Sequence, residues 1–229
     1  MHRIHATEIL DSDACSPAVV DAAMRDLSRV NRWFGGVTTA RAMLKRVAAA
    51  TRTNRLSLLE VGAGTGEVPR LAAARLAPRG IALDITLLDR VRSHLPTGNR
   101  SIVGDALALP FPDSAFDVVS CTLFAHHLDP PQLLQFIREG LRVSRCALLI
   151  NDLVRHPLHL ALVYTSFPVI HSRVAWLDGL TSVRRSYVPD EICGIISSGF
   201  PGARPHVEIS RHYLYRMGVI VWKRDCVES

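Results

Sequence analysis

The feature that most constrains the fold is a glycine-rich turn between an apolar stretch and a helical pattern. Residues 58–61 predict a short buried β-strand, and Gly62, Gly64 and Gly66 follow at alternate positions. Apolar residues then recur at helical spacing as far as residue 76. Alternate glycines allow a tight turn and a close approach of a ligand to the backbone. This order of strand, glycine turn and helix predicts one unit of an α/β fold.

The same alternation continues along the chain. Helical patterns at residues 68–76 and 131–143 separate apolar segments that predict further strands at 81–89, 101–103, 116–121 and 147–151. Strands that alternate with helices predict a largely parallel sheet covered on both faces. Two closing strands at 207–210 and 215–222 predict a terminal antiparallel hairpin. We therefore predict a Rossmann-like, seven-stranded, mostly parallel sheet in the α/β class.

The chain is expected to form a single domain over residues 1–229, because no repeat or low-complexity linker divides it. Two amphipathic patterns in residues 1–52 predict an N-terminal helical lid. The remaining parts are predicted to be a ligand-binding core at 55–155, a substrate-side insert at 156–188, and a closing helix and hairpin at 189–229.

The positive charge of the chain is not concentrated in one segment. The net charge is +6, but the basic residues are scattered along the sequence, and Lys45 and Lys223 are the only lysines. A nucleic-acid partner usually requires a basic patch or stripe. We therefore expect no nucleic-acid partner.

The cysteines indicate a reducing compartment, and the apolar segments are too short for a secretory signal or a membrane span. Five dispersed cysteines form no CxxC pair and no zinc-type spacing with the histidines, so we expect free thiols and no metal centre. The N-terminus lacks the apolar core of a secretory signal. The most apolar stretch, residues 158–170, is too short to span a bilayer and contains His159 and Pro168. We therefore expect a cytoplasmic protein without a membrane span.

Carboxylates surround the predicted glycine turn. Glu67 begins the next helix, where it would repel a phosphate, and the spacing GxGxG differs from the GxGxxG of pyrophosphate binders. Glu60, Asp89 and Asp105 lie at the ends of the first three predicted strands. Such acids can accept hydrogen bonds from ribose hydroxyls or an adenine amino group. Each alone could be a helix cap, but together they favour a nucleoside ligand that carries positive charge.

These features resemble those of the class I S-adenosylmethionine-dependent methyltransferases. The loop at residues 105–113 is similar to that of the ubiquinone/menaquinone-type subfamily of small-molecule methylases. The resemblance covers about residues 55–155 and the terminal hairpin, through matching segments at 58–66, 85–89, 104–105 and 116–121. It departs from the family at Glu60, where many members carry aspartate.

The resemblance implies S-adenosylmethionine as the cofactor. The glycine turn would hold its methionine part, Asp89 its ribose and Asp105 its adenine. In the predicted lid, Arg32 is a candidate partner for the cofactor carboxylate, since arginine binds carboxylates well. With Arg32, the candidate cofactor-binding residues are Glu60, Gly62, Ala63, Gly64, Gly66, Asp89, Arg90, Asp105, Ala106, Leu107 and Thr122.

The acceptor is expected to bind at the carboxyl edge of the sheet, after strands four and five. His126 is a candidate catalytic base because its ordinary pKa lies near neutrality, and Asp152 is the other candidate. Packing is the competing interpretation for His126, and capping of the next helix is the competing interpretation for Asp152. The candidate substrate contacts are Trp33, His127, Asn151 and Arg155, with Trp33 also a candidate for lid packing.

The apolar insert at residues 157–175 favours a hydrophobic acceptor, with plain core packing as the alternative. We therefore predict O- or C-methylation of a small, hydrophobic or aromatic molecule in secondary metabolism. RNA or protein methylation is an alternative that the pI near 9.4 favours. The chain has no Asn-Pro-Pro-Tyr or Asp-Pro-Pro-Tyr after strand four, which argues against methylation of base amino groups. A non-catalytic S-adenosylmethionine-binding protein is a third alternative.

Overall fold

The structure is a computed structural model of the 229-residue chain. It describes residues 1–11, 16–98, 100–166, 170–202, 204–213, 215–223 and 226. Cys15, predicted to be a free thiol, and Pro168, predicted to interrupt the apolar insert, lie outside the described residues.

Within the described residues, seven strands form one sheet. They are β1 (Arg55–Val61), β2 (Ala82–Asp89), β3 (Ser101–Val103), β4 (Phe116–Thr122), β5 (Ser144–Leu153), β6 (His206–His212) and β7 (Arg216–Trp222). The strand order is β3-β2-β1-β4-β5-β7-β6. Neighbours run parallel from β3 to β5, whereas β7 runs antiparallel to both β5 and β6. The predicted sheet and its terminal hairpin are confirmed.

The helices begin where the sequence supplies starting signals. Proline stands at the first position of several of them, where its missing N–H costs nothing. Asp129 and Gln132 form a capping box at the start of the fourth helix. The helices are α1 (Pro17–Trp33), α2 (Gly36–Ala50), α3 (Glu67–Leu76), α4 (Pro130–Val143), α5 (Pro157–Thr165), α6 (Arg173–Arg185) and α7 (Pro189–Gly199).

Each face of the sheet has its own apolar layer, because successive strand residues point to opposite faces. On one face, Leu59 and Leu148 pack with α4 and α7. On the other face, Leu58 and Leu149 pack with α2 and α3. The central strands are therefore buried on both sides, as parallel strands usually are.

The two N-terminal helices have different roles. Val37, Leu44 and Val47 of α2 are buried against the sheet, so α2 belongs to the core layer. In contrast, α1 contacts α3 and α6 near the carboxyl ends of the parallel strands. The predicted lid over residues 1–52 therefore includes one helix of the core layer, α2, and the role of a lid stays a prediction.

The apolar insert after β5 forms two helices. Its first helix, α5, packs against α6 and leaves Leu158, Leu162 and Tyr164 exposed to solvent. The alternative of plain core packing therefore does not hold for α5. Among the described residues, no helix combines the length and the apolarity that crossing a membrane requires.

Residues 1–11, which we call the N-terminal strap, lie against the carboxyl ends of the parallel strands, beside the turn that follows β4. The Arg3 guanidinium donates hydrogen bonds to the backbone carbonyls of His126 (3.1 Å), Leu128 (2.9 Å) and Arg185 (2.6 Å). The backbone N–H groups of Ile9 and Leu10 donate to the carboxylate of Asp178 on α6. These bonds fix the strap to α6 and to the turn that follows β4.

Candidate active site

The glycine turn connects β1 to α3 at the carboxyl edge of the sheet. Gly64 has φ +51°, a conformation that residues with a Cβ adopt at a cost. A Cβ on Gly64 would have the Met24 Cε of α1, at 3.3 Å, as its neighbour among the described residues. A Cβ on Gly62 would instead lie 2.5 Å from the Phe124 ring. The turn therefore packs tightly at Gly62, whereas at Gly64 a Cβ would meet only the flexible end of the Met24 side chain among the described residues.

Asp89 ends β2 and holds the glycine turn in place. One carboxylate oxygen accepts a hydrogen bond from the Gly64 N–H at 2.9 Å, and the other accepts one from the Val91 N–H at 3.0 Å. Each carboxylate oxygen can accept more than one hydrogen bond. Asp89 can therefore brace the turn and still accept from a ligand hydroxyl.

Glu60 is buried near the end of β1, beside β4. Its carboxylate accepts hydrogen bonds from the Ser120 and Thr122 hydroxyls. Burial raises the pKa of Glu60 to about 7, although both hydrogen bonds act in the opposite direction. Glu60 also lines a cavity of about 10 Å³, which has room for roughly one water molecule. A cationic ligand group near this carboxylate would favour its ionised form.

The other predicted cofactor contacts differ in their exposure and in their partners within the chain. Arg32 forms an ion pair with Glu67, which connects the end of α1 to the start of α3. Asp105 is exposed, and its carboxylate accepts a hydrogen bond from the Leu107 N–H at 2.9 Å. Arg90 is exposed beside Asp89, and Ala106 is buried.

On the acceptor side, His126 lies between two carboxylates. Its Nδ1 is 2.7 Å from one carboxylate oxygen of Asp152, and its backbone N–H donates to the other oxygen at 3.0 Å. Its Nε2 is 3.4 Å from the Glu8 carboxylate of the strap. Burial alone would lower the pKa of His126, but Asp152 and Glu8 together raise it to about 10. The same contacts hold the pKa values of both carboxylates below their ordinary range.

The predicted substrate contacts differ in exposure and in their partners. Trp33 is 63% exposed at the end of α1. Asn151 is buried, and its side chain donates to the Gly36 carbonyl at 2.8 Å and accepts from Arg216 at 3.1 Å. Arg155 is buried, with a bidentate ion pair to Glu191 and further bonds to backbone carbonyls. Asn151 and Arg155 are therefore held by other residues of the chain, and their contact with an acceptor stays a prediction.

Comparison with known proteins identifies this arrangement. Residues 59–146 match a family described as a methyltransferase domain. The match runs from β1 into β5 and includes the glycine turn, Asp89 and Asp105. Residues 59–146 thus correspond to a methyltransferase domain.

Solved methyltransferases share the fold at low sequence identity. The plantazolicin methyltransferase in complex with SAH is 14% identical with a TM-score of 0.67, over 93% of this chain and 91% of that chain. An S-adenosylmethionine-dependent methyltransferase from Aquifex aeolicus is 15% identical with a TM-score of 0.54, over 89% and 97%.

A putative methyltransferase from an antibiotic biosynthesis pathway of Anabaena variabilis is 20% identical with a TM-score of 0.50. That likeness covers 75% of this chain and 64% of the Anabaena chain, so the present chain spans less than two thirds of it. No curated protein matches the sequence. At these identities the structural likeness establishes the fold alone.

The structure also contains polar groups that the sequence pattern did not indicate. Arg216 begins β7 and is buried, and its guanidinium donates to Asn31 of α1 and to Asn151 of β5, both at 3.1 Å. Burial lowers the pKa of Arg216 to about 10. Glu8 reaches His126 across 118 positions of the chain (126 − 8). Both groups meet their partners through tertiary contacts, for which the sequence carries no local signal.

Proposed function

We propose that the chain transfers a methyl group from S-adenosylmethionine to oxygen or carbon of a small hydrophobic or aromatic acceptor. One observation carries the proposal: the insert after β5 exposes Leu158, Leu162 and Tyr164 beside the edge at which the cofactor turn lies. Apolar walls with few polar groups are typical of small-molecule sites. The loop similar to that of the ubiquinone/menaquinone-type methylases supports the same class of acceptor.

The residues at the turn fit this cofactor. Gly64 has no side chain and so allows close approach of a ligand to its backbone, and the buried Glu60 complements the positive charge of the ligand. We propose that Asp89 binds the ribose hydroxyls, and that Arg90, Asp105, Ala106 and Leu107 surround the adenine. Thr122 and Glu60 would then face the methionine part. The bound cofactor supplies an activated methyl group on a sulfonium.

We propose that catalysis depends mainly on positioning, because methyl transfer requires the donor and the acceptor to be in line. The surroundings of His126 do not favour the predicted role of general base. Both of its ring nitrogens face carboxylates, and its raised pKa keeps it protonated at neutral pH. Asp152 binds His126 and the backbone, so its function in this proposal is to position the turn after β4.

Structural neighbours support a natural-product acceptor. They include the plantazolicin methyltransferase with a monoazolic desmethylPZN analogue, the CMeT domain of the citrinin polyketide synthase, and an O-methyltransferase family 2 protein from Planctomyces limnophilus with apigenin. These acceptors belong to those proteins. For the present chain they favour a screen of phenolic and polyketide-like compounds, and a role in secondary metabolism.

The proposal is tested by measuring methyl transfer to phenols and quinols, with tRNA, rRNA fragments and peptides in parallel. We expect activity on the hydrophobic small molecules.

In Leu162→Glu the kcat/KM for these molecules should fall at least tenfold because KM rises, while the affinity for S-adenosylmethionine is unchanged. Ala74→Glu, on the exposed side of α3, adds the same charge away from the insert and serves as the control. Activity confined to RNA or peptides would refute the proposal.

Asp89→Ala is expected to weaken cofactor binding. The ribose hydroxyls lose a charged acceptor, and such hydrogen bonds contribute about 1–3 kcal/mol. Isothermal titration calorimetry with S-adenosylmethionine and its demethylated product measures the loss. Asp113→Ala removes a carboxylate that is 77% exposed and should have no effect. An unchanged affinity for S-adenosylmethionine in a folded Asp89→Ala protein would show that Asp89 stabilises the turn and does not bind the cofactor.

The raised pKa of Glu60 predicts a pH dependence of cofactor binding. Below a pH of about 7 the free protein holds a proton on Glu60, and the positively charged ligand favours its release. The affinity for S-adenosylmethionine should therefore rise as the pH increases through 7, with protons released on binding. Calorimetry at pH 6.5 in two buffers of different ionisation enthalpy detects this release.

Glu60→Gln should abolish both the proton release and the pH dependence that Glu60 causes. In the free wild-type protein, stability should also fall between about pH 4.5 and 7. Over that range the unfolded chain loses the Glu60 proton, whereas the folded protein keeps it. If S-adenosylmethionine binding had the same pH dependence in the wild type and in Glu60→Gln, Glu60 would not be the group that releases the proton.

A further inference from the structure

Glu8, His126 and His127 bring three metal-ligating groups together outside the cofactor turn. His126 Nε2 lies 3.4 Å from one Glu8 carboxylate oxygen, and His127 Nε2 lies 3.7 Å from the other. One ligand atom from each of the three residues can be chosen so that all lie within 4.8 Å of one another. Two adjacent residues of the turn after β4 thus face one residue of the strap.

The Asp152 carboxylate fixes the orientation of the His126 ring through its Nδ1 atom. Its Nδ1 is 2.7 Å from Asp152, so this nitrogen donates its proton and Nε2 points toward Glu8. His126 is 2% exposed, and within the described part of the chain its Nε2 makes no hydrogen bond that meets normal geometry. A histidine whose second nitrogen is bound by a carboxylate is the usual arrangement of a metal-ligating histidine.

The spacing of the ligand atoms suits a small dication. Zinc–nitrogen and zinc–oxygen bonds are about 2.0–2.1 Å long, so ligand atoms in a tetrahedral site lie about 3.4 Å apart. The separations of 3.4 and 3.7 Å, each measured to a different oxygen of Glu8, are close to this value, and one ligand atom from each of the three residues lies within 4.8 Å of the other two. Two histidines and one glutamate are also a ligand set that zinc sites use.

Charged groups of both signs surround the cluster. Glu8 and Asp152 are both nearly buried and flank His126 from opposite sides. The nearby guanidiniums of Arg3 and Arg185 donate to the backbone carbonyls of His126 and His127. A dication on Nε2 would interact with both carboxylates, and it would take the place of the proton that otherwise occupies His126.

We propose that Glu8, His126 and His127 bind one divalent transition-metal ion of the zinc type, with Asp152 orienting His126. The ion connects the N-terminal strap to the turn after β4, beside the acceptor side of the site. This proposal revises the expectation of no metal centre, which rested on spacing along the sequence. It does not depend on which acceptor is methylated.

The test uses untagged, full-length protein stripped of metal with a chelator and then titrated with Zn²⁺ by calorimetry. Co²⁺ provides a second probe through its visible absorption. We expect one ion per chain, and at least a tenfold loss of affinity in Glu8→Gln and in His127→Gln. Asp152→Asn should lose about 10–100-fold, as other supporting residues of metal sites do.

His5→Gln is the matched control, because His5 is an exposed histidine of the same strap. It should bind Zn²⁺ as the wild type does. Circular dichroism and binding of S-adenosylhomocysteine show whether each variant is folded. Absence of stoichiometric binding, or equal affinity in Glu8→Gln and wild type, would show that the cluster holds a proton only and would overturn the proposal.

Discussion

Replacing Gly64 with alanine is expected to lower the affinity for S-adenosylmethionine by about a hundredfold. The new methyl group would lie at the turn, 3.3 Å from the Met24 Cε, where the proposed methionine part of the cofactor approaches the backbone. Overpacking of a tight contact costs about 1–3 kcal/mol, and about 1.4 kcal/mol corresponds to a factor of ten. Calorimetry with S-adenosylmethionine measures the change.

Gly80→Ala separates the effect on binding from backbone strain. Gly80 has φ +78°, and the described residues place nothing within 4 Å of a Cβ there, so it carries similar strain away from the site. Both variants should lose a similar amount of folding stability, about 1 kcal/mol. Only Gly64→Ala should lose cofactor affinity. Equal affinities in the two variants would place the cofactor elsewhere.

Asp152→Ala is expected to destabilise the metal-free protein by about 3–5 kcal/mol, because it leaves a buried charge without its partner. Asp152 is 2% exposed, and its carboxylate accepts from the His126 ring and from the backbone N–H groups of His126 and Leu153. Urea denaturation in the presence of a chelator measures the free energy of unfolding.

The control for this variant is Asp113→Ala. Asp113 is mostly exposed and pairs with Arg142 at the surface, where such pairs contribute about 0–1 kcal/mol. A loss for Asp152→Ala no larger than that for Asp113→Ala would mean that His126 becomes neutral at little cost. The buried ion pair would then contribute little to stability.

The fold was predictable because its signals are local. The glycine turn, the strand-end acids and the alternation of strands with helices each occupy a few consecutive residues, and the structure confirms the sheet they predict. Strand ends were less predictable. β1 begins at Arg55 rather than at residue 58, since polar residues near the edge still pair with β2.

The acceptor side was predicted less well for a physical reason. His126, Asp152 and Arg155 are chemically suitable, and they lie after β4, near the end of β5 and after β5, respectively, but tertiary contacts decide what they do. Glu8 and Glu191 come from distant segments and occupy His126 and Arg155, respectively. The pattern of a sequence indicates which residue types reach an edge, but it carries no information about which of them are already paired.

The N-terminal strap also affects the order in which the protein folds. Its hydrogen bonds join residues 123 to 182 positions apart, so their formation requires closing loops that span more than half of the 229-residue chain. Contacts of such separation form late in folding. They can also open locally while the sheet stays intact. Backbone amides of residues 4, 9 and 10 should therefore exchange with deuterium much faster than those of β4 and β5.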